Sequence, residues 1–247
     1  MSETLLLVAH GSRDPRFGDT ARRIRSTVAA RLHTPSGAPD VRLAFLDLDE
    51  PSVAAELTAL TGPCTVVPLL LAPGYHSEID LPGIVADHAA HSVRCTDVVG
   101  TRSVTAALAD RLEEAGLRSD DGIVLTAVGS TNPAAALVVQ RRAVELSTML
   151  LRPVEVVYAT RLGVEDAALR NAIRRLRSSG SERVVVSPYF LSAGLLTERV
   201  DTALDRLAPG SMVAGPIGTH PALIDAVVDA YRDAVPSEVG VGVIAGR

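Results

Sequence analysis

The sequence predicts an α/β protein built as two tandem lobes, each a doubly wound parallel sheet, with a pseudo-twofold axis and a cleft between them. Three observations lead there. Short apolar runs alternate with helix-length amphipathic segments, the pattern of a parallel sheet with crossover helices. Several runs end abruptly in Gly-, Pro- or His-containing loops, as buried parallel strands do. The whole pattern then restarts about 118 residues later.

In the first half, residues 5–9 form an apolar run closed by His10-Gly11-Ser12-Arg13-Asp14-Pro15, and a helical pattern covers 19–32. Pro35, Gly37 and Pro39 break it, and residues 41–46 make a second strand. Asp47-Leu48-Asp49-Glu50-Pro51 leads into a helix over 52–60. A third strand, 66–71, ends in Ala72-Pro73-Gly74-Tyr75 and hands over to His76. A helix over 82–91, a strand over 93–99 and a helix over 103–115 complete the half. The polar, turn-rich segment 116–122 serves as the linker, so the lobes are expected at 1–118 and 119–247.

The second half repeats the first. Leu7–Ser12 (LVAHGS) faces Leu125–Ser130 (LTAVGS) at an offset of 118, and 67–76 faces 187–196 at 120. Val99–Arg102 (VGTR) faces Ile217–His220 (IGTH) at 118, and 41–47 faces 154–160 at 113. Near-equal offsets indicate two copies of one βα unit. Gly11, Ser12, Pro68, Gly74, Glu78, Gly100 and Thr101 have counterparts in both copies, which marks them as turns, caps and close approaches. By contrast His10, Asp47 and His76 face Val128, Thr160 and Leu196. All three follow the carboxyl end of a strand, where open α/β sheets bind ligands. Polar groups confined to one copy are the candidates for chemistry, and the second site is expected to be degenerate.

Composition narrows the field. The chain has 247 residues, 47% of them hydrophobic and 21% charged, as in ordinary globular proteins. Its net charge of −5 argues against nucleic acid as a partner. All 24 cationic residues are arginine, which excludes Schiff-base and P-loop lysine chemistry. Cys64 and Cys95 are too few for a disulfide framework or a thiolate cage, and both are expected to be buried. The run at 5–9 is too short for an export signal and lacks a basic leader, and no segment approaches a membrane span; a cytoplasmic protein is expected.

Two imidazoles and a carboxylate suit a borderline divalent metal such as Fe, Co or Ni and leave coordination positions open. A histidine there can equally act as a base. Ser12 and Arg13 are placed to hold an anionic group, although capping explains Ser12 as well, since Ser130 repeats it. Asp80, before Leu81-Pro82, reads as a helix cap, and Tyr189-Phe190 as core. His88 and His91 read as surface residues and His220 as a structural or rim residue at a helix start. The tail, 239–247, reads as a mobile end or an edge strand. The strand-His-Gly start also suggests histidine phosphatase chemistry, but that would want an arginine where Ala9 stands.

Together, HGSRDP after strand one, FLDLDEP after strand two and PLLLAPGYH with DLP after strand three resemble the sirohydrochlorin chelatases, in their long, internally duplicated form. The resemblance spans residues 4–235 and implies a chelatase-like fold of the Rossmann or flavodoxin kind. It implies ATP-independent insertion of a divalent metal into sirohydrochlorin, with Fe²⁺ favoured for siroheme and Co²⁺ for cobalamin as the alternative. The metal is substrate, and no resident cofactor is expected. The family's two histidines carry over to His10 and His76, and its acid to Asp47, where relatives often have Glu. The shorter side chain of Asp47 leaves Glu50 as the other candidate for that role. Ser12, Arg13, Gly74 and Tyr75 are the expected contacts to the macrocycle. A carrier that binds metal and ring without uniting them is the non-enzymatic alternative. Duplication supplies internally what a single-lobe relative gains by dimerising, which favours a monomer.

Overall fold

The structure, a computed structural model, describes residues 3–35 and 37–235. The first half contains β1 (Thr4–Ala9), α1 (Pro15–Leu32), β2 (Asp40–Phe45), α2 (Val53–Ala59), β3 (Cys64–Pro68), α3 (Leu81–His88), β4 (Val93–Cys95) and α4 (Thr105–Glu114). The second contains β5 (Asp121–Ala127), α5 (Pro133–Leu150), β6 (Val154–Tyr158), α6 (Ala167–Ser178), β7 (Arg183–Pro188), α7 (Leu195–Leu207), β8 (Met212–Val213) and α8 (Pro221–Ala234). The two sheets have the same parallel order, β2-β1-β3-β4 and β6-β5-β7-β8.

Strand periodicity explains the layering. In β1, Leu5, Leu7 and Ala9 enter one core, while Leu6 and Val8 enter another with α2 and α3. In β5, Ile123 and Leu125 join the first of these cores, and Val124 faces α6 and α7. Adjacent residues point to opposite faces, so a strand covered on both sides is apolar throughout. The shared core lies between the sheets and is filled by α1, α4, α5 and α8.

The last helix of each half crosses over. The first half's α4 packs on β7, and the second half's α8 packs on β3. Leu223, Ile224, Val227 and Val228 of α8 are fully or almost fully buried there. At about 1.5–3 kcal/mol per buried side chain, that helix alone contributes an amount comparable to a domain's whole net stability. Residues 1–118 therefore do not close their own core. The α4–α5 contact also holds a buried cation: Arg142, 1% exposed, donates to Thr105 Oγ1 (3.1 Å) and Glu145 Oε2 (2.6 Å).

Several expected boundaries shift, each for a local reason. Helix α1 starts at Pro15 rather than 19, because Asp14 caps it by accepting from Arg16 N (3.1 Å) and proline suits the first turn. The fourth strand stops at Cys95, so Cys95 is exposed rather than buried; Cys64 is buried, which pushes its thiol up to about 12. The expected linker is anchored: buried Asp121 already belongs to β5 and takes both Arg183 Nε and Nη2 at 2.7 Å. The segment expected to be helical over 82–91 ends at His88, and a π turn, His76–Asp80, precedes it. The tail, 239–247, lies outside the described residues. No described helix is long and apolar enough to cross a membrane.

Candidate functional site

His10 follows β1 directly, and its position is set by main chain. Its carbonyl accepts from Asp47 N (2.9 Å). Gly11 has φ +97°, and a Cβ there would lie 1.7 Å from the Asp47 carbonyl oxygen. Only glycine permits that approach, which locks the ends of β1 and β2 together. Ser12 N donates to Asp49 Oδ2 (2.9 Å), and Ser12 Oγ accepts from Asp14 N (3.1 Å), joining this turn to the cap of α1.

His76 opens the π turn after β3. Gly74 O accepts from Ser77 N and Glu78 N, and Gly74 N donates to Ser77 Oγ (2.9 Å). Upstream, Leu71 O accepts from Tyr189 OH of the second half (2.8 Å). The loop is thus held from both lobes. Other contacts across the lobes follow the repeat: Asn132 donates to Glu78 (2.9 Å), and Arg16 to Glu198 (2.5 Å). Arg16 also holds the Asp14 carboxyl below its usual range.

The two histidines, 66 positions apart, meet at their Nε2 atoms, 2.9 Å apart, with rings nearly perpendicular. Each Nδ1 faces an acceptor: Gly11 O at 3.1 Å from His10, and Asp80 Oδ2 at 2.7 Å from His76. An imidazole that donates through Nδ1 carries a lone pair on Nε2. At 2.9 Å the two Nε2 atoms are close enough to share one proton or one cation.

Of the residues expected at the site, the structure brings these two together and leaves the acid aside. Asp47 is exposed and its Oδ1 accepts from Leu48 N (2.8 Å), while Glu50 Oε2 accepts from Ser52 N (2.8 Å). Neither carboxylate bonds to a histidine, and among the described residues no group of three His, Cys, Asp or Glu side chains is arranged to hold a metal. Arg13 is exposed and, among the described residues, makes no hydrogen bond. Tyr75 is 65% exposed, its ring edge-on to His76, and a Cβ on Gly74 would meet nothing within 4 Å.

Exposed apolar side chains, Leu48, Tyr75, Ile79, Val128, Val164 and Leu195, follow the carboxyl ends of strands in both lobes. His88 is exposed at the end of α3, and His91, also exposed, lies beyond it. His220 is structural: its Nδ1 accepts from Ala222 N (3.2 Å) at the start of α8 and its Nε2 pairs with Asp110 (2.9 Å). Sequence reasoning missed Asp80 as the partner of His76. The i, i+4 spacing on one helical face was the available signal. Tyr189 is core, as expected, but its hydroxyl has a job that no local pattern reveals.

The CbiX family model matches the chain twice, over residues 4–115 and 122–234, following the duplication seen in the sheets. The chain belongs to the CbiX family. A sirohydrochlorin cobaltochelatase of Priestia megaterium is 23% identical over 259 residues, covering 96% of this chain and 81% of the relative. Two solved structures share the fold over almost all of the chain. SirB from Bacillus subtilis with Fe³⁺ has a TM-score of 0.77 at 22% identity, covering 95% of this chain and 96% of SirB. CbiX described as the terminal enzyme for siroheme biosynthesis in denitrifying bacteria gives 0.68 at 21% identity, covering 94% and 100%. These likenesses confirm two tandem α/β lobes as the CbiX architecture.

Proposed function

We propose that this CbiX-family chain inserts a divalent metal, Fe²⁺ in preference to Co²⁺, into sirohydrochlorin without ATP. The observation that carries the reading is the His10–His76 pair, whose Nε2 atoms lie 2.9 Å apart beyond the carboxyl ends of neighbouring strands. Two imidazoles hold a borderline metal while leaving most of its coordination sphere to water and to the incoming ring. The relative named a sirohydrochlorin cobaltochelatase, and SirB solved with iron, support the substrate class.

The remaining chemistry is assigned to residues around the pair. As the four ring nitrogens replace the metal's water and imidazole ligands, the macrocycle gives up its two N–H protons, and the two freed imidazoles take up one each. Asp47, joined to His10 through the main chain, is the further acceptor, acting through water because its carboxylate is bonded to its own turn. The exposed apolar side chains of both lobes and the open face of Gly74 suit a flat macrocycle between the lobes, with Tyr75 against its edge. Arg13, without an acidic partner among the described residues, takes a ring carboxylate, with Ser12 beside it. The macrocycle and the metal are the partners; no resident cofactor is involved. The exchanged helices make the duplicated chain self-sufficient as a monomer, working in the cytoplasm.

The test is anaerobic absorbance of sirohydrochlorin with Fe²⁺ or Co²⁺, with and without protein, alongside His10→Ala and His76→Ala. Faster insertion that both variants lose is the expected result. Ring binding without acceleration over the blank with either metal would refute catalysis and leave a carrier.

A further inference from the structure

His76 has a partner that the metal reading leaves unused. Asp80 Oδ2 lies 2.7 Å from His76 Nδ1, the ring nitrogen that does not face His10. The sequence position of Asp80, just before Leu81-Pro82, suggests a helix cap. The structure removes that explanation: Asp80 makes no side-chain cap hydrogen bond to the first turn of α3. Nor is the contact a stability device. The side chains are 43% and 32% exposed, and exposed pairs of this kind contribute only about 0–1 kcal/mol.

The second lobe provides an internal control. The turn that binds Gly74 to Ser77 and Glu78 recurs there as Gly194 with Thr197 and Glu198, down to the bond from residue 197 Oγ1 to Gly194 O. What does not recur is the pair itself. Leu196 stands for His76 and Val200, buried, for Asp80. The backbone changes with them: the π turn His76–Asp80 is replaced by regular helix in α7. Single π turns occur frequently at functional sites. The scaffold of this turn is thus retained in both lobes, while imidazole, carboxylate and π geometry are lost together, as one unit.

We propose that Asp80 is a positioning residue that makes His76 ready for metal. This rests on His76 being a metal ligand. Its carboxylate accepts the Nδ1 hydrogen, which fixes the tautomer whose Nε2 carries the lone pair and points that lone pair at His10. It also makes the imidazole a better donor, as carboxylates behind metal-binding histidines do. The role is orientation; Asp80 touches neither metal nor macrocycle.

The test uses the full chain, anaerobically, with Co²⁺ alone as the probe, titrated by its visible absorbance, and with urea unfolding run in parallel. D80N is close to isosteric but removes the charge, and its amide can offer Nδ1 either its oxygen or its NH2, so it no longer enforces the tautomer. D80A leaves Nδ1 to water. Expected are urea midpoints near wild type for both variants and Co²⁺ affinity lowered about 10–100-fold in both. A merely structural Asp80 would leave D80N close to wild type, since asparagine conserves shape. Wild-type Co²⁺ affinity in D80N overturns the inference. H76A separates the two layers: if H76A loses Co²⁺ and D80N does not, only the role of Asp80 falls. If H76A binds as wild type does, the metal site itself falls.

Discussion

Gly100→Ala should damage the site from a distance, and the structure sets the size of the effect. Gly100 lies buried in the 3₁₀ turn Val99–Thr101, with a φ outside the left-handed region, so the penalty for a side chain is steric alone. A Cβ there would lie 1.9 Å from the Leu71 carbonyl oxygen and 2.2 Å from its carbon. Bringing the oxygen to the 3.0 Å limit that real Cβ contacts respect requires a separation of about 1.1 Å. The carbonyl is not free to swing, because it accepts from Tyr189 OH at 2.8 Å. Gly100 N in turn donates to Leu70 O at 3.0 Å. A shift of that size breaks both bonds, at about 1 kcal/mol each, with a further ~1–3 kcal/mol where a polar group is left unpaired. The expected loss is about 2–5 kcal/mol, read as a lower urea midpoint with an unchanged m-value. Leu71 leads straight into the loop that carries His76, and a misplacement of about 1 Å costs on the order of 10²-fold in rate. Metal insertion by G100A should fall accordingly even where the protein is fully folded. A midpoint and an insertion rate both equal to wild type would refute this account of how the loop is held.

Tyr189→Phe removes one of the same two anchors while keeping the ring in the core. It should cost about 1 kcal/mol in urea unfolding and slow insertion less than Gly100→Ala does; a loss greater than that of Gly100→Ala counts against the shared anchor. Asp121→Asn tests the anchored linker. Burial alone would raise this carboxyl, but the two bonds from Arg183, with that from Arg118 N, outweigh it and hold the group below its usual range. A depressed carboxylate stabilises above its unfolded value and loses that contribution as pH falls through its folded one. Wild type should therefore weaken progressively below about pH 4. The variant should be less stable at pH 7 by about 3 kcal/mol, since Arg183 loses its partner, and show a shallower acid limb in urea midpoints measured from pH 7 to 3.

The repeat was the most legible feature, because duplication preserves turn residues at fixed offsets. The pairing of 41–47 with 154–160, at the odd offset of 113, is matched by one bond in each lobe: Asp47 N to His10 O, and Thr160 N to Val128 O. The contrast between the copies also singled out His10 and His76. It ranked Asp47 beside them, however, because strand-end position says nothing of where a carboxylate finds its nearest donor. Here that donor is Leu48 N, in its own turn. Asp80 was visible but misassigned, since an acid before a helical proline fits a cap as readily as a partner for His76.

What the sequence by itself determined about this protein is local and repetitive: strands, helices, turn glycines, the two-copy plan and the CbiX-type motifs. These depend on side-chain alternation and backbone preference within a few residues. Only the tertiary structure decided that His10 and His76 meet at Nε2, that Asp80 stands behind His76, and that Tyr189 holds the loop from the other lobe. It alone exchanged α4 and α8 between the sheets. Those outcomes turn on rotamers and on the packing of elements far apart in the chain, where one ångström separates a hydrogen bond from none.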